Sequence, residues 1–555
     1  MNFTSIRTSL SAILFFLLVA GRLYAQDTDI VKSPGITSEL HRANIGKIIF
    51  TDHDIAPNAL TSTDFISNYE LTNKSNLFIT VCLANANTNY LHQLAPGLSA
   101  DSLLKVGNYQ FSFYVDGKII YHTELWAGAP QANFQNTKSI WTMPLIDNSN
   151  EGAYWSQSSW GRFMRSGGDS LLTDGRHKFR MEIRDYVKKP DLKVGPLLAA
   201  GELDIQVYRH PAINIAGIHI SPIKPYDGLP VSKESYKHDR IKQMMGNIDA
   251  DVFKHITSIV VLKNGKILIE EYFNGSGRDS LHDVRSVGKS FSSTMAGIAE
   301  SEGYLKPESQ TVGDFYDVKS FENYSPAKGR VALKELLTMS SRFDGDDDDN
   351  TPGNEENMYP TPNWVKFVLD LPMDTVKYTG QWHYFTAGVV LLGDILNKSV
   401  PVSLESYADI KLFKPLHITN YHWQYTPQKV VNTAGGIQMN TLDFAKYGQL
   451  YKNNGVWNGK QIIPATWVAK TFTRNKIIPG RNNEYYGYLF WNKTYQVNGK
   501  GYEPFYCSGN GGNSIFVFKD QPIVVVITAT AFGTVYAHTQ VDKMMEQYIL
   551  PAVIQ

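Results

Sequence analysis

The chain has 555 residues, 53 Lys and Arg balanced by 53 Asp and Glu, 43% apolar and 12% aromatic residues, and 2 cysteines. Zero net charge leaves no bulk field to gather nucleic acid or an anionic membrane, so neither is expected as a partner. The apolar and aromatic content excludes a disordered chain, and a mean hydropathy of −0.26 excludes a membrane bundle. At roughly 150 residues per domain the length implies two to four domains.

Residues 1–25 read as a signal peptide. Arg7 gives a positive start, Leu10 to Ala20 an apolar stretch too short to span a bilayer, and Leu23-Tyr24-Ala25 a small-residue cleavage site before Gln26. The alternative is an uncleaved anchor, against which Arg22 closes the run early. The mature chain is expected to be periplasmic or secreted, with no transmembrane anchor. Cys82 and Cys507 lie far apart and read as two free, buried thiols, a set that also excludes a cysteine zinc site.

Residues 27–210 read as an all-β sandwich. Asn76 to Leu83, Lys178 to Arg184 and Glu202 to Tyr208 are strand-like. Tyr109 to Val115, Asp116-Gly117 and Lys118 to Leu125 spell a hairpin, because Asp-Gly supplies the positive φ angles of a tight turn. Residues 211–230, with Ser221-Pro-Ile-Lys-Pro-Tyr-Asp-Gly-Leu-Pro230, read as a linker. From 231 to 555 the pattern is α+β. A second hairpin runs through Asn264-Gly265. Helical periods follow at Phe291 to Glu302, Trp364 to Leu371, Thr386 to Leu396 and Leu442 to Tyr451. Strands return at Ser514 to Phe518 and Ile523 to Thr530, and a helix closes at Thr539 to Ile549. Strands at both ends with helices between predict an antiparallel sheet flanked by helices, with an inserted helical region.

The chemistry is narrowed by exclusion. The chain holds no His-Glu-x-x-His helix and no Gly-x-Ser-x-Gly elbow. Gly288-Lys289-Ser290 imitates a phosphate loop, but Asp283 stands where that loop needs glycine. What remains is Ser286-Val-Gly-Lys289. The same spacing recurs at Ser102/Lys105, Ser221/Lys224 and Ser325/Lys328, yet only Ser286 opens an apolar helical run. On a first helical turn, i and i+3 share a face, so Lys289 can reach the Ser286 hydroxyl. Lysine activates serine only as the neutral amine, which burial and the positive helix end favour. The bland alternative is a serine N-cap followed by a surface lysine.

Two further motifs weigh against that alternative. Tyr384-Phe-Thr386 stands directly before the helical Ala387 to Gly393, and a phenol beside a cationic lysine can relay a proton. Cys507-Ser-Gly-Asn-Gly-Gly-Asn513 leads into an apolar strand. Its glycines allow close backbone approach to a substrate, although an ordinary turn would use the same residues.

In this order the residues resemble the serine β-lactamase and penicillin-binding-protein superfamily, in its class C-like branch of esterases and 6-aminohexanoate-dimer hydrolases. The resemblance runs from about Ile256 to the C-terminus. It includes Leu336-Leu-Thr-Met-Ser-Ser-Arg-Phe-Asp344, Gly435 to Gly448 and Gly455 to Ile463. It implies Ser286 as acylated nucleophile, Lys289 as its base and Tyr384 as second acid/base. The amides of Ser286 and Asn510 would form the oxyanion hole, and Ser508, Gly509, Gly511 and Thr386 would line the substrate site. No cofactor and no metal are implied. Two departures matter: Thr386 replaces an asparagine common among relatives, and Cys507 replaces the lysine or histidine of antibiotic-binding members, which puts penicillin recognition in doubt.

The expectation is an exported serine hydrolase acting on a small ester, amide or peptide substrate. The alternatives are a D-stereospecific peptidase or transpeptidase acting on cell-wall peptides, and an inactive binding protein of the same fold. Three lesser features have two readings each. Asp344-Gly-Asp-Asp-Asp-Asp-Asn350 with Glu355 imitates a calcium loop but lacks its sixth-position glycine, and otherwise reads as an acidic loop near the site. His383 is a substrate-orienting or a packed histidine. Tyr154, Trp155 and Trp160 are a sugar platform or core.

Overall fold

The computed structural model describes residues 29–125, 137–148, 154–349, 351–374 and 376–554. The expected signal peptide lies outside them. The chain divides into two units, Met1–Arg209 and His210–Gln555.

The first unit carries β1 (Lys47–Thr51), β2 (Asn68–Thr72), β3 (Leu77–Cys82), β4 (Gly107–Val115), β5 (Lys118–Glu124), β6 (Ile140–Ile146), β7 (Gly175–Lys188) and β8 (Leu192–Tyr208). They join in one hydrogen-bonded network, β5-β4-β7-β8-β1-β3-β6, with β2 paired to β8. The expected hairpin is present, Val115 opposite Lys118, with positive φ at both Asp116 and Gly117. Helices α1 (Asn87–Leu94) and α2 (Ala100–Val106) interrupt the strands, and a further helical stretch over 154–171 lies between β6 and β7. Phe111, Phe113, Trp141, Trp155 and Phe179 are buried in the core, each contributing ~1.5–3 kcal/mol on transfer from water. Trp155 is thus core, and Trp160 packs beside it on Phe163 and Phe179, at ring distances of 5.1 and 5.7 Å. This leaves no platform from those two rings, and the Tyr154 side chain lies outside the described residues.

Residues 211–230 are not a free linker. They belong to the second unit, where Ser221 donates from its amide and hydroxyl to Glu271 and the Tyr226 hydroxyl reaches Asp443. Their prolines and glycines serve a docked, extended path, which composition alone does not distinguish from a spacer.

The second unit is built on an eight-stranded antiparallel sheet: β9 (Ile256–Lys263), β10 (Lys266–Tyr272), β11 (Lys476–Ile477), β12 (Tyr485–Tyr486), β13 (Trp491–Asn492), β14 (Pro504–Gly509), β15 (Asn513–Phe518) and β16 (Ile523–Ala529). Their order is β10-β9-β16-β15-β14-β13-β12-β11. The hairpin turns at Asn264-Gly265, both with positive φ, and the C-terminal β16 pairs with β9. Both faces are buried. Val260, Leu262, Val524 and Val526 face one core, and Ile259, Val261, Ile523, Val525 and Ile527 the other. Burial on both faces explains the unbroken apolar runs of β9 and β16. The inserted helices α3 (Lys289–Ser301), α4 (Thr386–Ser399) and α5 (Thr441–Lys452) pack into the first of these cores. Helix α6 (Ala537–Met544) packs into the second. Cys82 and Cys507 are free and buried.

Candidate active site

Ser286 lies in a 3-10 turn, Arg285–Gly288, that feeds directly into α3. Lys289 is the first α-helical residue, so three positions of winding bring its side chain over the serine. Its Nζ is 2.7 Å from Ser286 Oγ and 2.8 Å from the Ala434 carbonyl oxygen. Lys289 is 2% exposed, whereas Ser286 is partly open. Burial lowers the Lys289 pKa, against the opposing fields of Glu355 and Asp347. The pair Ser325/Lys328 shows the contrast. Lys328 is also buried, but its Nζ donates to the Glu322 and Leu369 carbonyls, and Ser325 Oγ caps a helix by accepting from Ala327 N.

Tyr384 stands immediately before α4, and its ring lies under the Lys289 ammonium position, 5.1 Å from Nζ to centroid. Trp491 stacks on the same ring at 5.7 Å, and Trp382 closes the group at 6.1 Å. Burial pushes the phenol far above its ordinary value. Hydrogen bonding to Ser286 works in the other direction, and Glu355, Asp347 and Asp348 add to the upward push. An amine held down and a phenol held up have complementary uses: the amine accepts a proton and the phenol donates one.

The third motif reaches the same turn. A β-carbon on Gly509 would fall 2.0 Å from the Val284 carbonyl oxygen and 3.1 Å from Ser286 N, so only glycine lets β14 run this close. Gly435 approaches from another side, where a β-carbon would lie 3.0 Å from the Arg285 carbonyl. Asn510, Gly511 and Gly512 form the turn from β14 to β15, with the Asn510 side chain accepting from Gly533 N at 2.8 Å. Ser508 Oγ lies 3.5 Å from His538 Nδ1.

Thr386 is 3% exposed, and its Oγ1 has no hydrogen-bond partner among the described residues. His383 is packed: its Nδ1 donates to the Gly345 carbonyl at 2.6 Å, its ring lies 4.2 Å from Tyr378, and burial lowers its pKa to about 4. Within the acidic run, Asp346 accepts from Asp348 N, Asp349 pairs with Lys377 at 2.7 Å, and Asp347 turns inward. The Ala434 carbonyl and His538 belong to no motif in the sequence, and Asp347 and Glu355 stand out there only as part of the acidic run; their places beside the site appear only once the chain is folded.

A family model described as Beta-lactamase matches residues 250–547, more than half of the chain. The chain belongs to the β-lactamase family, whose fold is that of serine hydrolases. A 6-aminohexanoate-dimer hydrolase from Paenarthrobacter ureafaciens is 22% identical over 222 residues, 38% of this chain and 55% of that relative. The chain thus spans about half the length of that relative. Among solved structures, the octameric penicillin-binding protein homologue from Pyrococcus abyssi is 19% identical, with a TM-score of 0.44 over 55% of this chain and 76% of its own. A D-stereospecific amidohydrolase from a Streptomyces species is 16% identical, with a TM-score of 0.42 over 52% and 92%.

Proposed function

We propose that the protein is an exported serine hydrolase that cleaves small esters or amides through an acyl-enzyme on Ser286. The observation that carries this reading is the 2.7 Å approach of a buried lysine amine to a partly open serine hydroxyl. Neutral Lys289 takes the Ser286 proton as Oγ attacks the carbonyl carbon. The oxyanion that forms faces the amides of Ser286 and Asn510, on two backbone segments that nearly touch. Tyr384 protonates the departing alcohol or amine and recovers its proton from the Lys289 ammonium. Water then attacks the ester, gives its proton to the same relay, and releases the acid with Ser286 restored.

Export rests on the reading of residues 1–25. The 6-aminohexanoate-dimer hydrolase relative supports a small amide or ester as substrate, and Cys507 before Ser508-Gly509, in place of the cation that would meet a substrate carboxylate, weighs against a β-lactam. Ser286→Ala should lower turnover of p-nitrophenyl esters by at least ~10³-fold. Unchanged turnover would contradict the proposal.

A further inference from the structure

The acidic run that imitates a calcium loop has a use that its composition does not suggest. Helix α4 begins at Thr386, and its N-cap position is Phe385, whose side chain accepts no hydrogen bond. Its open amide is instead met from elsewhere in the chain: Asp347 Oδ2 accepts from Thr386 N at 2.8 Å. The other oxygen of the same carboxylate, Oδ1, accepts from Glu355 N, the first residue of the short helix Glu355–Met358, at 2.8 Å. The Asp347 amide donates to the Tyr384 carbonyl at 2.8 Å. One residue therefore holds both sides of the phenol's backbone, its own carbonyl and the amide two residues on, and ties them to a second helix end.

We propose that Asp347 is a positioning residue for the hydrolytic reaction, fixing the Tyr384 phenol over Lys289 by clamping the start of α4. This rests on the acyl-enzyme reading given above. A carboxylate at a helix N-terminus is favourable because unpaired amides and the helix dipole both point positive charge at it. The charges that face Asp347 are Glu355, beside it on the short helix, and Lys289 on α3. Tyr384 and Tyr359 feel its field in turn. Burial first, then Glu355, raise its pKa to about 6, while Thr386, whose amide donates to it, and Lys289 oppose the rise. The clamp is consequently fully charged only above that range.

The test uses the full chain and a p-nitrophenyl ester across a range of pH, with folding checked by circular dichroism. Asp347→Asn keeps one acceptor oxygen but loses the charge and the second acceptor. It should lower kcat by ~10-fold or more with KM changed less than about twofold. Its acidic limb of kcat/KM should move to lower pH, because the anion that favours charged Lys289 is gone and Asp347 itself no longer titrates. Glu356→Gln removes an equal charge from the exposed side of the short helix and should leave rate and profile as they are. Thr386→Ala keeps the amide that Asp347 binds. Thr386→Pro removes it at a first-turn position where proline is tolerated, and should fall ~10-fold below Thr386→Ala. An Asp347→Asn enzyme matching Glu356→Gln in rate and profile would overturn the proposal. If Asp347→Asn does not fold, the Thr386 pair decides, and equal rates for its two members would overturn it. Fluorophosphonate labelling of wild-type Ser286 separates the two claims: an inert serine removes the acyl-enzyme reading itself, whereas a labelled serine with indifferent Asp347 variants removes only the clamp.

Discussion

Gly509 and Ser286 meet backbone to backbone: a β-carbon on Gly509 would lie 3.1 Å from the Ser286 amide nitrogen. The strand that ends in the third motif thus forms one wall of the nucleophile's own turn. Gly509→Ala must push the two apart, since its new methyl would also sit 2.0 Å from the Val284 carbonyl oxygen. Overpacking of this kind costs ~1–3 kcal/mol. Displacement of the proposed oxyanion donors should lower kcat by ~10²-fold. Steady-state kinetics and a thermal melt check both, and an alanine variant with wild-type kcat would show that the close approach has no catalytic part.

The protonation states give a pH prediction. The proposed mechanism needs Lys289 as the neutral amine, and burial holds its pKa below the ordinary lysine value of 10.5. Ester turnover should therefore climb as pH rises through that lowered value and then level off. Tyr384 is shifted upward from 10.0, so it should produce no descending limb below that pH. A fall in kcat/KM near pH 8 that disappears in Tyr384→Phe would contradict the assignment of acid and base.

Thr386 buries a hydroxyl that has no hydrogen-bond partner among the described residues. Exchange for the isosteric valine removes an unsatisfied polar atom, so Thr386→Val should unfold no earlier than the parent, within ~1 kcal/mol. If the hydroxyl meets substrate, kcat/KM should nonetheless fall by ~5-fold or more. Equal kinetics in the two proteins would assign the hydroxyl no contact with substrate.

The first unit holds its own titrating group. Asp185 is 1% exposed, its Oδ1 has no hydrogen-bond partner among the described residues, and burial raises its pKa from 3.8 to about 6. A folded pKa above the unfolded one means a contribution fully present below pH 3.8 and lost as pH rises through about 6. The loss is at most about 3 kcal/mol. Asp185→Asn does not titrate, so its unfolding free energy relative to the parent should rise between pH 4 and 7 by an amount of that order. Denaturant melts at the two pH values measure it, and a constant difference would show that Asp185 ionises freely.

Much of this was readable in the sequence because local rules and burial agree. Asp116-Gly117 and Asn264-Gly265 fixed both hairpins through turn chemistry alone. The buried strands β9 and β16 announced themselves as apolar runs, and Ser286, Lys289 and Tyr384 fell on the helix starts their spacing suggested. Other features depend on long-range contacts. Helices α1 and α2 are short and polar, with too little periodicity to stand out within a strand-rich segment. Residues 211–230 look like a spacer until Glu271 and Asp443 are seen to hold them. Asp347 has the same letter as its solvent-facing neighbours, and only the position of α4 shows that its carboxylate caps a helix.

The most direct measurement is peptide mapping by mass spectrometry after brief exposure of the intact protein to a fluorophosphonate, with Lys289→Met alongside. The mechanism requires a single adduct on Ser286 in the parent and a loss of labelling in the lysine variant. A parent protein that labels elsewhere, or that labels equally well without the amine of Lys289, would contradict it.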